Sequence, residues 1–142
     1  MQSSGSSLPR RVALDTSAYS HFRGGDERVV ELVEHAAQVC LPVTVLGELD
    51  AAFRWGSRRK DNEARLREFL DAPFVTVLEV TVDVARRYGQ LRAQLRNNGT
   101  PVATNDIWIA AATLDAGAHL VTFDRDFETI DGLDLTLLSV KH

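Results

Sequence analysis

Apolar residues follow two rhythms along this chain. Val12, Ala13 and Leu14 form a short run without polar interruption, as expected of a strand covered on both faces, and the run ends on Asp15. After Asp26, the residues Val29, Val30, Leu32, Val33 and Ala36 recur at helical spacing, and Val39 to Leu41 returns to a strand pattern. Pro42 opens the next helix, where Val45, Leu46, Leu49, Ala52 and Phe53 make one apolar stripe that Gly56 stops. A polar helix is expected from Asp61 to about Asp71, and a β-branched strand from Phe74 to Val80.

Thr81 is placed to cap a helix over Val82 to Arg96, with Val84, Ala85, Tyr88, Leu91 and Leu95 on one side, and Asn98-Gly99 closes it. Thr104 or Asn105 is the expected cap of a helix through Ile107, Ala110, Ala111 and Leu114, ending at Gly117. Leu120 to Thr122 and Leu135 to Leu138 read as the last strands. Strands alternating with helices predict an α/β fold: one domain with a central parallel sheet of about five strands and helices on both faces.

The length of 142 residues suits one domain with its own core, and 44% apolar with 25% charged residues is ordinary globular usage. Residues 1–10 carry Ser and Gly where a secretory signal needs an apolar core, so they read as a flexible leader before a functional unit at 11–140. The longest apolar runs are too short to span a bilayer, and Cys40 alone allows neither an intrachain disulfide nor a cysteine-built zinc site. A cytoplasmic protein without a membrane segment is expected.

Ligands of such sheets bind beyond the carboxyl ends of the strands, and two aspartates stand at those exits. Asp15 follows the first strand directly, and Asp124 follows Leu120-Val121-Thr122 with one residue between. Asp106 lies in a first helical turn, and Glu48 interrupts its helix beside the buried stripe, where an unpaired carboxylate is costly. Asp126 is a fifth candidate. Taken singly, Asp15 is equally a helix cap, Asp106 a response to the helix dipole, and Asp124 and Asp126 turn residues. Taken together, converging carboxylates repel one another unless a cation is present. Oxygen ligands without Cys or His suit Mg²⁺ or Mn²⁺, one ion or two, as used in phosphoester cleavage.

Four segments, in this order, resemble the PIN-domain family and within it the VapC toxins of toxin-antitoxin pairs: Leu14-Asp15-Thr16-Ser17, Val45-Leu46-Gly47-Glu48-Leu49, Asn105-Asp106-Ile107-Trp108-Ile109-Ala110-Ala111 and Leu120-Val121-Thr122-Phe123-Asp124-Arg125-Asp126-Phe127. The resemblance implies a metal-dependent endoribonuclease whose catalytic and metal-binding positions fall on Asp15, Glu48, Asp106 and Asp124. Thr16, Asn105 and Thr122 fall on supporting positions. It also implies a homodimer and a cognate VapB-type antitoxin that blocks the site, often with a basic side chain.

A net charge of -4 sits poorly with an RNA-binding protein, but two bound divalent ions would bring the formal total to zero. Arg54, Arg58, Arg59 and Lys60 form a basic run after the Glu48 helix, and Arg92 and Arg96 share a helical face; these are candidate RNA contacts. Tyr19, Phe22 and Trp55 are candidates for a groove that takes an antitoxin helix or a stacked base. His21, His35, His119 and His142 lack metal-like spacing and receive no role.

A haloacid-dehalogenase-type phosphatase needs a second aspartate where this chain has Ser17, and a receiver domain needs a phospho-accepting aspartate where it has Val77-Leu78. The remaining alternative is a catalytically inactive PIN-like module that only binds a partner, which the four intact acidic positions disfavour.

Overall fold

The computed structural model describes residues 8–140. In chain order the elements are β1 (Arg11–Leu14), α1 (Thr16–Arg23), α2 (Glu27–His35), β2 (Gln38–Pro42), α3 (Val43–Trp55) and α4 (Arg59–Leu70). They continue with β3 (Val75–Leu78), α5 (Val82–Asn97), α6 (Thr104–Asp115), β4 (His119–Thr122), a 3₁₀ turn (Arg125–Thr129) and β5 (Leu135–Leu137). All strand pairs are parallel, in the order β3-β2-β1-β4-β5.

That order has a direct consequence for the site. The chain builds outward from β1 to β2 and β3, then returns to add β4 and β5 on the other side of β1. The reversal makes the gap between β1 and β4 a topological switch point, where a crevice opens beyond the strand ends. Leu14 is in register with Val121, so Asp15 leaves the sheet beside Thr122.

After the first residue of each inner strand, successive residues are all buried, including Val12, Ala13, Leu14, Val39, Cys40, Leu41, Leu120 and Val121. Such runs require cover on both faces, as parallel sheets have. Six helices supply it, with α6 contributing Ile107, Ile109, Ala110 and Ala111 and α1 contributing Ala18 and Tyr19. Each fully buried Leu, Val or Ile adds roughly 1.5–3 kcal/mol of apolar transfer energy. Burial also pushes the Cys40 thiol up, so it acts as a small core residue.

Several expectations are corrected in detail. The segment after Asp15 is the helix α1, which the apolar rhythm does not announce because its pattern is short and mixed. The N-cap of α6 is Ala103, with Thr104 and Asn105 inside the helix. Asn105 is engaged elsewhere, as described below. The strand expected from Phe74 to Val80 spans Val75–Leu78, and the turn read as an alternative at Asp124 and Asp126 is a 3₁₀ turn that Asp124 caps. Residues 1–7 of the expected leader lie outside the described residues. In its last part, Leu8 packs on the core and the Arg10 carbonyl accepts from the Ala37 and Gln38 amides at 2.7 and 3.1 Å. Among the described residues, no helix is long and apolar enough to cross a membrane.

Candidate metal centre

Asp15 is the hinge between strand and site. Its carboxylate caps α1, with Oδ1 accepting from the Ala18 amide at 2.7 Å and from the Ser17 hydroxyl at 2.7 Å. Oδ2 accepts from the hydroxyl of Thr122 on the neighbouring strand. The capping role and the site role, alternatives in the sequence, are therefore one arrangement. Asp15 is only 4% exposed. Burial pushes its carboxyl above the ordinary value, the three hydrogen bonds pull it back, and the charge of Asp124 raises it again.

Thr122 also accepts the Asp124 amide at 3.0 Å, so one hydroxyl links the exits of β1 and β4. Asp124 in turn caps the 3₁₀ turn, its Oδ1 accepting from the Asp126 amide at 2.9 Å. From α3, Glu48 is held at both oxygens, Oε1 by the Thr16 hydroxyl and Oε2 by the Asn105 side-chain amide at 3.2 Å. Asp106 stands in the first turn of α6. Burial, then the charges of Asp124, Glu48 and Asp15, push its carboxyl up to about 7.

A cavity of about 320 Å³ is lined by Asp15, Thr16, Ser17, Ser20, Glu48, Asp106, Ile109 and Asp124. All four expected carboxylates thus meet, from four separate elements. Asp126 does not line the cavity and is exposed, yet an oxygen from each of Asp106, Asp124 and Asp126 lies within 4.8 Å of the others. Asp126 sits at the rim.

The donor set fits a hard divalent cation. Carboxylates and hydroxyls line the cavity without His or Cys, and the Asp106 carboxyl is held up by charges that a cation would offset.

The sequence profile of the PIN domain family matches residues 12–133. The chain belongs to the PIN domain family. Over 127 residues it is 29% identical to Ribonuclease VapC5 of Mycobacterium tuberculosis, covering 89% of this chain and 93% of the relative. It is 31% identical to Ribonuclease VapC1 of Haemophilus influenzae over 108 residues, 75% of this chain and 78% of the relative. Among solved structures, DNA-bound VapBC from Salmonella typhimurium superposes with a TM-score of 0.78 at 27% identity, covering 89% of this chain and 96% of that one.

This PIN domain uses residues that the sequence did not single out. The Ser17 hydroxyl, besides donating to Asp15, accepts from the Phe123 amide at 3.1 Å and so ties α1 to the β4 exit. The His21 ring stacks on Phe123, with centroids 3.8 Å apart, while its Nδ1 lies 2.9 Å from the Ser17 carbonyl. His21 therefore packs the peptide between Thr122 and Asp124, although no role was expected of it. The spacing of Ser17 and His21, one helical turn apart, was the available signal.

Other candidates sit away from the cavity. Tyr19 is 2% exposed, its ring edge-on to Phe69 at 5.5 Å, and Phe22 packs on the same ring at 5.4 Å. Helix α4 packs on both rings through Phe69; Tyr19 lines a hollow between α1, α3 and α4, and Phe22 does not line it. Trp55 is 86% exposed at the end of α3. In the basic run, Arg54 pairs with Asp50 at 2.7 Å and Arg59 with Glu63 at 3.1 Å, while Arg58 and Lys60 make no ion pair among the described residues. Arg92 and Arg96 line a separate groove with Tyr88, Thr100 and Ile107. His142 lies outside the described residues.

Proposed function

We propose that this PIN-domain protein is a metal-dependent endoribonuclease, the toxin of a VapBC-type toxin-antitoxin pair. The observation that carries the reading is the convergence of Asp15, Glu48, Asp106 and Asp124 on one cavity at the β1/β4 switch point. The similarity to ribonucleases VapC along most of the chain supports RNA as substrate.

Asp15, Glu48, Asp106 and Asp124, with Asp126 at the rim, are the proposed holders of one or two Mg²⁺ or Mn²⁺ ions. When bound, the metal supplies an activated water and stabilises the leaving oxygen of the cleaved phosphodiester. The protein's part is preorganisation. Ser17 and Thr122 hold Asp15, and Thr16 and Asn105 hold Glu48, so neither carboxylate must be ordered when the site is filled. Asp106, with its carboxyl at about 7, releases a proton on metal binding.

The proposed partner is a VapB-type antitoxin, in keeping with the solved VapBC complexes. A basic side chain from it would meet the carboxylates in charge-assisted hydrogen bonds. A homodimer acting in the cytoplasm, with residues 11–140 as the nuclease unit, completes the proposal. Arg54, Arg58, Arg59, Lys60, Arg92 and Arg96 are its auxiliary RNA contacts.

The test is cleavage of end-labelled cellular RNA by the purified protein with Mg²⁺ or Mn²⁺. Discrete fragments are expected that disappear with EDTA and in Asp106→Asn. Cleavage persisting in both controls, or no cleavage of any RNA, would overturn the reading.

A further inference from the structure

Next to the carboxylate cavity lies a second hollow of opposite character. It measures about 210 Å³, lies between α1, α3 and α4, and shares Ser20 with the carboxylate cavity. Arg23, Asn62 and Arg65 line it with Tyr19, Leu49 and Phe53, and no carboxylate does.

Arg23 is locked before any ligand arrives. Its guanidinium lies 5.4, 5.4 and 5.7 Å from the ring centres of Tyr19, Phe22 and Phe69. Nε donates to the Tyr19 hydroxyl at 2.9 Å and Nη2 to the Arg65 carbonyl at 3.0 Å. Both acceptors are neutral. Among the described residues neither Arg23 nor Arg65 makes an ion pair, whereas Arg28, Arg54, Arg59, Arg87 and Arg125 each do. A guanidinium has about five N–H donors, so Arg23 keeps both charge and donors for an incoming oxyanion.

We infer that this hollow is a phosphate subsite for the RNA strand, holding a backbone phosphate that flanks the scissile one. The inference rests on the ribonuclease reading and extends it. A strand entering the carboxylate cavity brings neighbouring phosphates that bound metal ions do not neutralise, and the overall charge of -4 offers them no general attraction. Arginine forks beside the cavity answer that locally, and an arginine already frozen by ring packing loses little further freedom on binding. The hollow and the cavity of the four carboxylates share Ser20 in their linings, so they are neighbours on the surface. A continuing phosphodiester strand can occupy both compartments, whereas an acidic peptide would carry further carboxylates against those four.

The experiment uses the full chain carrying Asp106→Asn, so that RNA is bound and not cut. Binding of a labelled single-stranded RNA is followed by anisotropy in Mg²⁺ over a range of salt concentrations. Arg65→Gln, at an exposed position, is expected to weaken binding about threefold to tenfold and to flatten the log-log salt slope by about 0.7. Arg23→Gln should do the same, with thermal unfolding reporting any separate packing loss. Arg86→Gln on α5 removes an equal charge elsewhere and is the control. Arg65 and Arg23 variants that match the Arg86 control would overturn the subsite. So would variants that lose binding of polyglutamate while keeping that of RNA, which would assign the hollow to an acidic protein segment. Failure of the ribonuclease reading would appear as no cleavage by wild type and no RNA binding by the Asp106→Asn chain itself, whereas failure of the subsite leaves that chain binding RNA and the arginine variants no weaker.

Discussion

Glu48 and Arg54 belong to the same helix, yet the two charge clusters they introduce are held in different ways. Arg54 pairs with Asp50, and Arg59 with Glu63, each across one helical turn. Such exposed pairs form in any helix with this spacing and contribute little to stability, because water screens them. The carboxylates are held by partners 32, 57 and 107 residues away: Thr16 and Asn105 on Glu48, and Thr122 on Asp15. Local charges neutralise one another wherever the helix goes. The carboxylates, with no basic side chain lining their cavity and held in place by distant donors, repel one another.

The comparison breaks first at the carboxylates. Asp15→Asn, with the fold preserved by near-isosteric replacement, is expected to lower RNA cleavage on the order of 10³-fold or more, measured as initial rates in Mg²⁺. A rate within a few fold of wild type would remove Asp15 from the site.

A smaller effect is expected from the donors. Thr122→Val removes the hydroxyl between Asp15 and the Asp124 amide, leaving a buried carboxylate oxygen unmatched, and should cost about 1–3 kcal/mol in urea unfolding. An unchanged midpoint would mean that the bridge does not restrain Asp15.

Next in size is a pH effect in EDTA. The Asp106 carboxyl is raised to about 7 from an ordinary 3.8, so the folded protein binds its proton more tightly than the unfolded chain does. That contribution to stability is present below about pH 4 and is lost as pH rises through about 7. After allowance for solvent screening at this half-buried group, wild type should lose about 1–2 kcal/mol relative to Asp106→Asn between pH 5 and pH 8. Thermal melts of both proteins at the two pH values measure it, and parallel curves would refute the repulsion. Saturating Mg²⁺ should remove the difference.

The smallest effect belongs to the basic run. Arg54→Gln should leave the melting temperature essentially unchanged and weaken cleavage by about twofold, because Asp50 already answers much of the charge that Arg54 offers to RNA. A larger loss in cleavage would show that the pair opens to meet RNA.

Much of the fold could be read from the residues. Continuous apolar runs marked β1, β2 and β4, and the helical stripes marked α2, α3, α5 and α6, since burial on both faces or on one stripe imposes those periods. The helix α1 was announced only by Asp15 as a possible cap, because its eight residues carry just two buried positions, Ala18 and Tyr19, too few to set a period. Neither Thr104 nor Asn105 is the cap because α6 begins one residue earlier, after Ala103, and the Asn105 amide then donates to Glu48, a contact that exists only once α3 and α6 meet. His21 was passed over because stacking on Phe123 depends on the approach of α1 to the end of β4. Of the aromatic candidates, Tyr19 lines the hollow between α1, α3 and α4, while Phe22 packs on Phe69 and Trp55 stands exposed at the end of α3, a separation that only the packing of α4 sets.

By itself the sequence determined the alternation of strands and helices, and with it the parallel sheet, because local periodicity is a property of neighbouring residues. It also determined that acids stand at the exits of β1 and β4, since those positions follow directly from where the apolar runs end. Only the tertiary structure decided that β1 and β4 are adjacent, that Glu48 and Asp106 face the gap between them, and that Arg23 and Arg65 form a basic hollow one residue away at Ser20. Those relations join residues far apart in the chain, and only packing into a common core sets the distance between them.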